Sequence, residues 1–391
     1  MIESVGDPVT SANEVLGEVS EQARSWLLNE AAPLWSSRGR TRSGLFAERM
    51  TLSGEPDAEY FRTFVQARHI FSFVQIGQIG WTGPWRDLVT ETTETLVRRA
   101  KRLDGFFVHR LDVEANPLDE RADLYDQAFV LFALGTAGGA LGRADWFDEA
   151  EELLDRLKVK WAHPRRGFRE GEIVDSCIRR QNPHMHLFEA FLALAEASGR
   201  QRFREAARSI ADLASEKFID RDTGALLEYF TDELEPPPGI EGRTAEPGHC
   251  FEWAWLFERL AAAGWEEGAR VSDRLTGFAR GTGIDARRNV AFNEVLTDGS
   301  PHDLTARLWP QTERLKAAVA RFKRLGSDEE AEEAVAAARG LRQYLEVDVP
   351  GLWRDKLGED GSWIEEMAPG SSLYHISCAY SELLGIGRGD R

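Results

Sequence analysis

The chain has 391 residues, 42% of them hydrophobic, and a formal net charge of −18 from 48 Lys and Arg against 66 Asp and Glu. That is enough apolar material for a large core. The acidic balance, with basic residues scattered rather than clustered, excludes the basic face that nucleic acid or an anionic membrane requires.

In chain order, the N-terminal stretch MIESVGDPVTSANEV is polar and acidic, unlike a signal peptide, and residues 1–15 read as a flexible tail. No apolar run of about 18 residues suggests a membrane span, so a soluble, cytoplasmic protein is expected. Beyond the tail, one short pattern recurs: a Gly- or Asn-bearing turn, then strand-forming residues, often ending in Glu. Its instances are SGLFAERM at Gly44, DGFFVHRLD at Gly105, RGFREGE at Gly167, TGALLEYF at Gly224, RNVAFNEVL at Asn289 and DGSWIEEM at Gly361. Successive separations are 61, 62, 57, 65 and 72 residues, a period that signals a repeat architecture. Each interval has room for two helices. Residues 123–141, 184–198 and 249–264 are apolar nearly all round, as helices covered on every side should be. Residues 203–218 are amphipathic, with Phe203, Ala207, Ile210, Leu213 and Ala214 on one side, and the segment near 335–347 is also of this outer type. Six inner and six outer helices close into an all-α (α/α)6 barrel, with short β-hairpin turns gathered at one end. No linker interrupts residues 16–388, which read as a single domain.

A closed repeat brings groups of equal phase together. A polar cluster opens each inner helix: Arg62 and Arg68; Tyr125, Asp126 and Gln127; Asn182, His184 and His186; His249 and Glu252; Trp309, Gln311 and Glu313; and His375. Asn182 and His186 are four apart and share a helix face, whereas His184 points elsewhere. His249 and Glu252, three apart, allow a carboxylate to orient an imidazole. His375 follows the Gly/Ser-rich PGSSLYHISCAY, which could approach a ligand closely. His69, His109, His163 and His302 read as caps or packed polar residues. Most of the twelve Trp belong to the core, but Trp253, Trp255, Trp309 and Trp363 lie near the clusters, where aromatic faces suit sugar stacking. Cys177, Cys250 and Cys378 are far apart and odd in number, so no disulfide framework or structural zinc site is expected.

The motifs RRQNPHMHLFEAFLAL, EPGHCFEWAWLFERL, LYDQAFVLFAL, RLWPQTERLKA and YHISCAY together resemble the N-acylglucosamine 2-epimerase superfamily, nearest its mannose isomerase and sulfoquinovose isomerase-like branch, from Arg62 to about Tyr380. The resemblance implies an enzyme acting on free monosaccharides without a cofactor or metal, as a monomer or homodimer. It implies catalytic roles for His249, His375 and Glu252. It implies substrate contacts for Arg68, Asn182, His186 and Arg243; the helix-opening clusters add Asp126, Gln127, Trp309 and Gln311 as further candidates. The expected reaction is aldose–ketose isomerisation of the mannose-to-fructose type. A base removes the C2 proton, donors such as Arg68 hold the enediolate, and the proton returns to C1. His375 is the expected base, and His249 the ring-opening acid/base or the base of the second face. A sugar 2-epimerase, returning the proton to C2 from the other face, is the first alternative. An inverting glycoside hydrolase using Asp126 and Glu252, a metal site from His249, Glu252 and His375, and a non-enzymatic binding role are the others.

Overall fold

The computed structural model describes residues 12–174 and 178–386. Residues 1–11 of the expected tail lie outside it, as does Cys177, while residues 12–15 already belong to the first helix.

The inner helices are Thr63–Ile79, Leu124–Leu141, Gln181–Ser198, Pro247–Ala262, Leu308–Leu325 and Ser372–Leu384. The outer ones span 12–37, 85–100, 144–160, 201–218, 267–282 and 328–345. The pairing follows from side-chain distribution. Phe203, Ala207, Ile210 and Ala211 bury one stripe of the fourth outer helix, whereas the second inner helix is buried on nearly every face. That inner helix, Leu124–Leu141, is long and apolar enough to cross a membrane by composition, contrary to the expectation that no such run exists. It is instead a wall of the barrel, and it stops where Gly142 takes the left-handed conformation, φ +69°.

Closure rests on short strands. The strand leading into each inner helix pairs antiparallel with the hairpin of the next unit: 61–62 with 110–111, 123 with 171, 179–180 with 229–230, 244–245 with 295–296, and 306–307 with 356–357. The sixth, 368–369, pairs with 49–50 of the first unit. The N-terminal helix also packs on the last inner helix and on 328–345, so both ends of the chain complete one ring.

The structure corrects the sixth repeat. In every unit a backbone N–H just past the turn returns to the end of the preceding outer helix: Ala47 to Gly39, Val108 to Ala100, Arg169 to Trp161, Leu227 to Phe218, Phe292 to Gly283 and Arg354 to Tyr344. The sixth turn is therefore at Gly351, and the last interval becomes 62 residues rather than 72. Gly361 instead closes a second hairpin, 356–357 with 363–364, equivalent to the turns at Gly54, Ala115, Leu234 and Gly299.

The first turns of the first, second, third and fifth units are clamped from the inner helix that follows. Gln66, Gln127 and Gln311 each accept from the backbone N–H and donate to the C=O of one turn residue: Phe46, Phe107 and Ala291 respectively. In the third unit His184 does part of this work. Its Nε2 accepts from Phe168 N–H at 3.0 Å and its Nδ1 faces the Arg180 carbonyl; burial holds it neutral, down at about 3.

Gln127→Ala would leave a buried N–H and a buried C=O unpaired, and should lower stability by about 2–4 kcal/mol. Thermal unfolding measures this. A substrate-binding glutamine would leave the melting temperature unchanged and raise KM instead.

Candidate active site

The strand pairing brings the first turns of all six inner helices to one end of the barrel. Just past each first turn, a polar side chain occupies the same slot: Glu48, His109, Glu170, Glu228, Asn293 and Asp355. Each slot reaches the start of an inner helix. Glu48 takes the backbone N–H and Nε of Arg62, and Glu170 takes the same two groups of Arg180. His109 places Nδ1 2.7 Å from Asp126.

In the fourth unit the slot serves a histidine. Glu228 Oε2 lies 3.0 Å from His249 Nδ1, and Glu246, one turn earlier on the helix, lies 3.5 Å away. Burial opposes a charge on His249, but Glu228, Glu246 and, to a lesser degree, Glu252 outweigh it and push the imidazole up to about 10. His249 is thus an imidazolium at neutral pH. Its Nε2 is 3.2 Å from the Asn182 amide, whose Oδ1 is otherwise buried without a partner. Turning that amide over lets Oδ1 accept from the Nε2–H of His249 and satisfies both. The ring lies 4.8 Å from that of Trp309, and a Cβ at Gly248 would stand 2.6 Å from Trp309, which accounts for the glycine in PGH.

His375 is the opposite case. Its Nδ1 is 2.7 Å from Glu313 Oε1, and Trp309 lies 5.8 Å away on its other side. Burial pushes it well below the usual histidine range, and Arg68, Lys316 and His186 press the same way. Glu313 is pushed well up by burial and by Glu252, against the pull of Lys316, whose Nζ is 2.5 Å from Oε2. Lys316 is fully buried, 3.8 Å above the Trp255 ring and 3.8 Å from Glu252; its neighbouring acids overcome the desolvation that opposes its charge.

Between the two histidines the floor is aromatic. Arg68 donates to the Tyr125 hydroxyl at 2.7 Å and lies over Phe129 at 4.4 Å and Tyr374 at 4.9 Å; its buried Nε has no partner. His186 places Nδ1 3.2 Å from Glu189, which also accepts from the Tyr374 hydroxyl.

Of the residues singled out from sequence, Arg68, Asn182, His186, His249, Glu252, Trp309 and His375 come together here. The remaining expectations need correction. Gln127 and Gln311 are spent on turn backbone, as above. Both carboxylate oxygens of Asp126 are taken, by His109 and by the Phe64 N–H, with burial raising it to about 6. Arg243 sits half-exposed and pairs with Asp298 at 2.5 Å. Glu252 does not hold His249; its carboxylate groups instead with His186 and Glu189, and with Glu313 and His375. Consequently the His249–Glu252–His375 set is not among the three clusters of metal-ligand geometry found in the described residues, and in the His375 cluster the Lys316 ammonium already stands against Glu313. Of the other tryptophans, Trp253 stacks in the core on Phe188 and Phe257, Trp255 bonds Glu382, and Trp363 packs on Tyr344. The glycine of PGSS packs on Ala47 rather than on the site.

Glu228, Glu246, Glu189 and Lys316 were not singled out from sequence. A signal existed for two of them. Glu228 is the terminal Glu of the recurrent turn pattern, and Lys316 shares a helix face with Glu313, three residues on.

The model of the family described as N-acylglucosamine 2-epimerase (GlcNAc 2-epimerase) matches residues 44–379. A protein of Rhizobium meliloti (strain 1021) called mannose-6-phosphate isomerase is 40% identical over 368 residues, 92% of this chain and 95% of that one. A D-mannose isomerase of Pseudomonas cannabina pv. alisalensis is 27% identical over 257 residues, 59% of this chain and 57% of that one. The structure of a cellobiose 2-epimerase from Bacillus thermoamylovorans B4167 superposes with a TM-score of 0.86 at 16% identity, covering 95% of this chain and all of the other, and so shares the fold. With a model match running through nearly the whole barrel, the chain belongs to the N-acylglucosamine 2-epimerase family.

Proposed function

We propose that the protein is an aldose–ketose isomerase acting on a mannose-type sugar, with His375 as base and His249 as acid. One observation carries this reading. Two histidines flank the same tryptophan, and their surroundings push them in opposite directions, His249 up to about 10 and His375 well below the usual range. Such a pair divides acid from base at neutral pH.

Each residue then has a task. His249, charged, turns its Nε2–H from Asn182 to the sugar: it protonates the ring oxygen as the ring opens, regains the proton released by the O1 hydroxyl, and then donates to the carbonyl oxygen. His375 takes the C2 proton on Nε2. The proton bridging Nδ1 and Glu313 can pass to Glu313, whose raised affinity for it limits the charge that builds on the ring. Arg68, with an unused Nε, faces the negative enediolate. His375 then returns its proton to C1 while the O2 hydroxyl proton passes to O1, giving the ketose. The relatives named for mannose isomerisation support this choice of sugar. Epimerisation would require His249 to protonate carbon from the other face. It would leave Glu228 and Glu246 uncompensated and a proton on the buried His375, which is the unfavourable distribution here.

Incubation with D-mannose and with D-mannose 6-phosphate should yield the corresponding ketose. Formation of no ketose from either, or from related aldoses, would sink the reading. His375→Asn should keep the fold and lower kcat by about 10²–10⁴-fold.

The pH dependence follows from the same pair. Activity needs His375 neutral and His249 charged, so kcat/KM should be flat through neutrality and fall on the alkaline side as pH passes about 10. Glu228 is the strongest influence raising His249. Glu228→Gln should therefore move the alkaline limb to lower pH, with folding checked by circular dichroism. An unmoved limb would show that another group sets it.

A further inference from the structure

The residues capping the six inner helices alternate in charge around the mouth: Arg62, Asp123, Arg180, Glu246, Arg307 and, neutral, Ser371. The three arginines occupy equivalent positions in the first, third and fifth units, which makes them controls for one another.

Two of them are held by their own unit. Glu48 accepts from Arg62 Nε at 2.7 Å, and Glu170 from Arg180 Nε at 2.8 Å. In the fifth unit the slot holds Asn293, which accepts the Arg307 backbone N–H at 3.2 Å and offers the guanidinium no charge. Its ion-pair partner comes instead from the next unit's slot, Asp355, and no hydrogen bond to its two terminal nitrogens is found among the described residues. The nearest carboxylate, Asp355, is 3.5 Å from Nε, and Nε is buried without a hydrogen-bond partner. The side chain is 43% exposed, against 29% for Arg62 and 33% for Arg180. Arg307 also opens the inner helix that carries Trp309. It is two residues before Trp309, and its charge reaches both Glu246 and His375.

Given the isomerase reading above, on which this rests, we propose that Arg307 is a specificity-determining residue that binds the far end of the sugar and accepts a phosphate monoester there. A guanidinium with open donors matches phosphate oxygens. The two acids nearby, Glu246 and Asp355, are each offset by a neighbouring cation, Glu246 by His249 and Asp355 by Arg307 itself. Arg243, the arginine expected at the site from sequence, is engaged with Asp298.

The test measures binding and turnover separately. Calorimetric titration of the unaltered protein with D-mannose 6-phosphate and with D-mannose should show tighter binding of the phosphate ester. Arg307→Met should cut that preference by about 10–100-fold. Asn293→Glu, which installs the carboxylate that holds the other two arginines, should reduce the same preference while retaining Arg307. Arg62→Met, at the equivalent capping position, should leave the preference in place. An unaltered protein that binds the two sugars equally, or an Arg307→Met variant with its preference intact, would overturn the assignment. Turnover in the same samples tests the isomerase reading independently. Binding preference without ketose formation would uphold Arg307 as a phosphate-ester contact and defeat the isomerase reading.

Discussion

The two-residue strand that enters each inner helix and pairs with the next unit's hairpin is the contact on which the rest depends. Alone it is trivial, a pair of ladder positions of the kind that never persists in isolation. Repeated six times and closed between 368–369 and 49–50, it fixes where every inner helix begins. A helix start is the most chemically useful part of a helix. Its first side chains are not yet surrounded, and its capping residue is free to vary. The ring thus turns six independent helix starts into one constellation, and the long apolar helices behind them serve to keep it still.

The interior then has to accommodate buried charge. Glu189, Glu252 and Glu313 lie around one ammonium, that of Lys316, with Arg68 beyond it. Removing a single partner from such a set leaves an uncompensated charge, at a cost of several kcal/mol. His249 and His375 draw their partners from different units: Glu228 from the turn before the fourth inner helix, Glu313 from the fifth inner helix. Two identical side chains, 4.8 and 5.8 Å from one tryptophan, therefore hold protons with very different strength.

The fold was legible because its punctuation is chemically constrained. The first turn needs a positive φ, which selects Gly or Asn, and Gly44, Gly105, Gly167, Gly224 and Asn289 all show it. The sixth was misplaced because Gly351 and Gly361 both satisfy that constraint, and the residues after Gly361 look more like a strand. The candidate site was legible only where polar chemistry and helix phase coincide. Asn182, His186, His249 and His375 follow the apolar pattern to the barrel centre. Gln127 and Gln311 follow it equally well and turn aside to bond backbone, a difference of side-chain direction that periodicity does not encode. Glu228 escaped notice because it sits 21 residues before His249 in the turn of the same unit, and only the folded turn brings it back to the helix start.

That same slot shows how a symmetric scaffold acquires asymmetric chemistry. Glu48 and Glu170 neutralise arginines, and the result is structural. Glu228 meets a histidine, and the result is a persistent imidazolium. Asn293 carries no charge, and the arginine above it turns to Asp355 of the next unit, 3.5 Å from Nε. Each outcome follows from one side chain at a shared position and from what the next helix presents to it, which is why function has to be argued unit by unit even where the fold repeats.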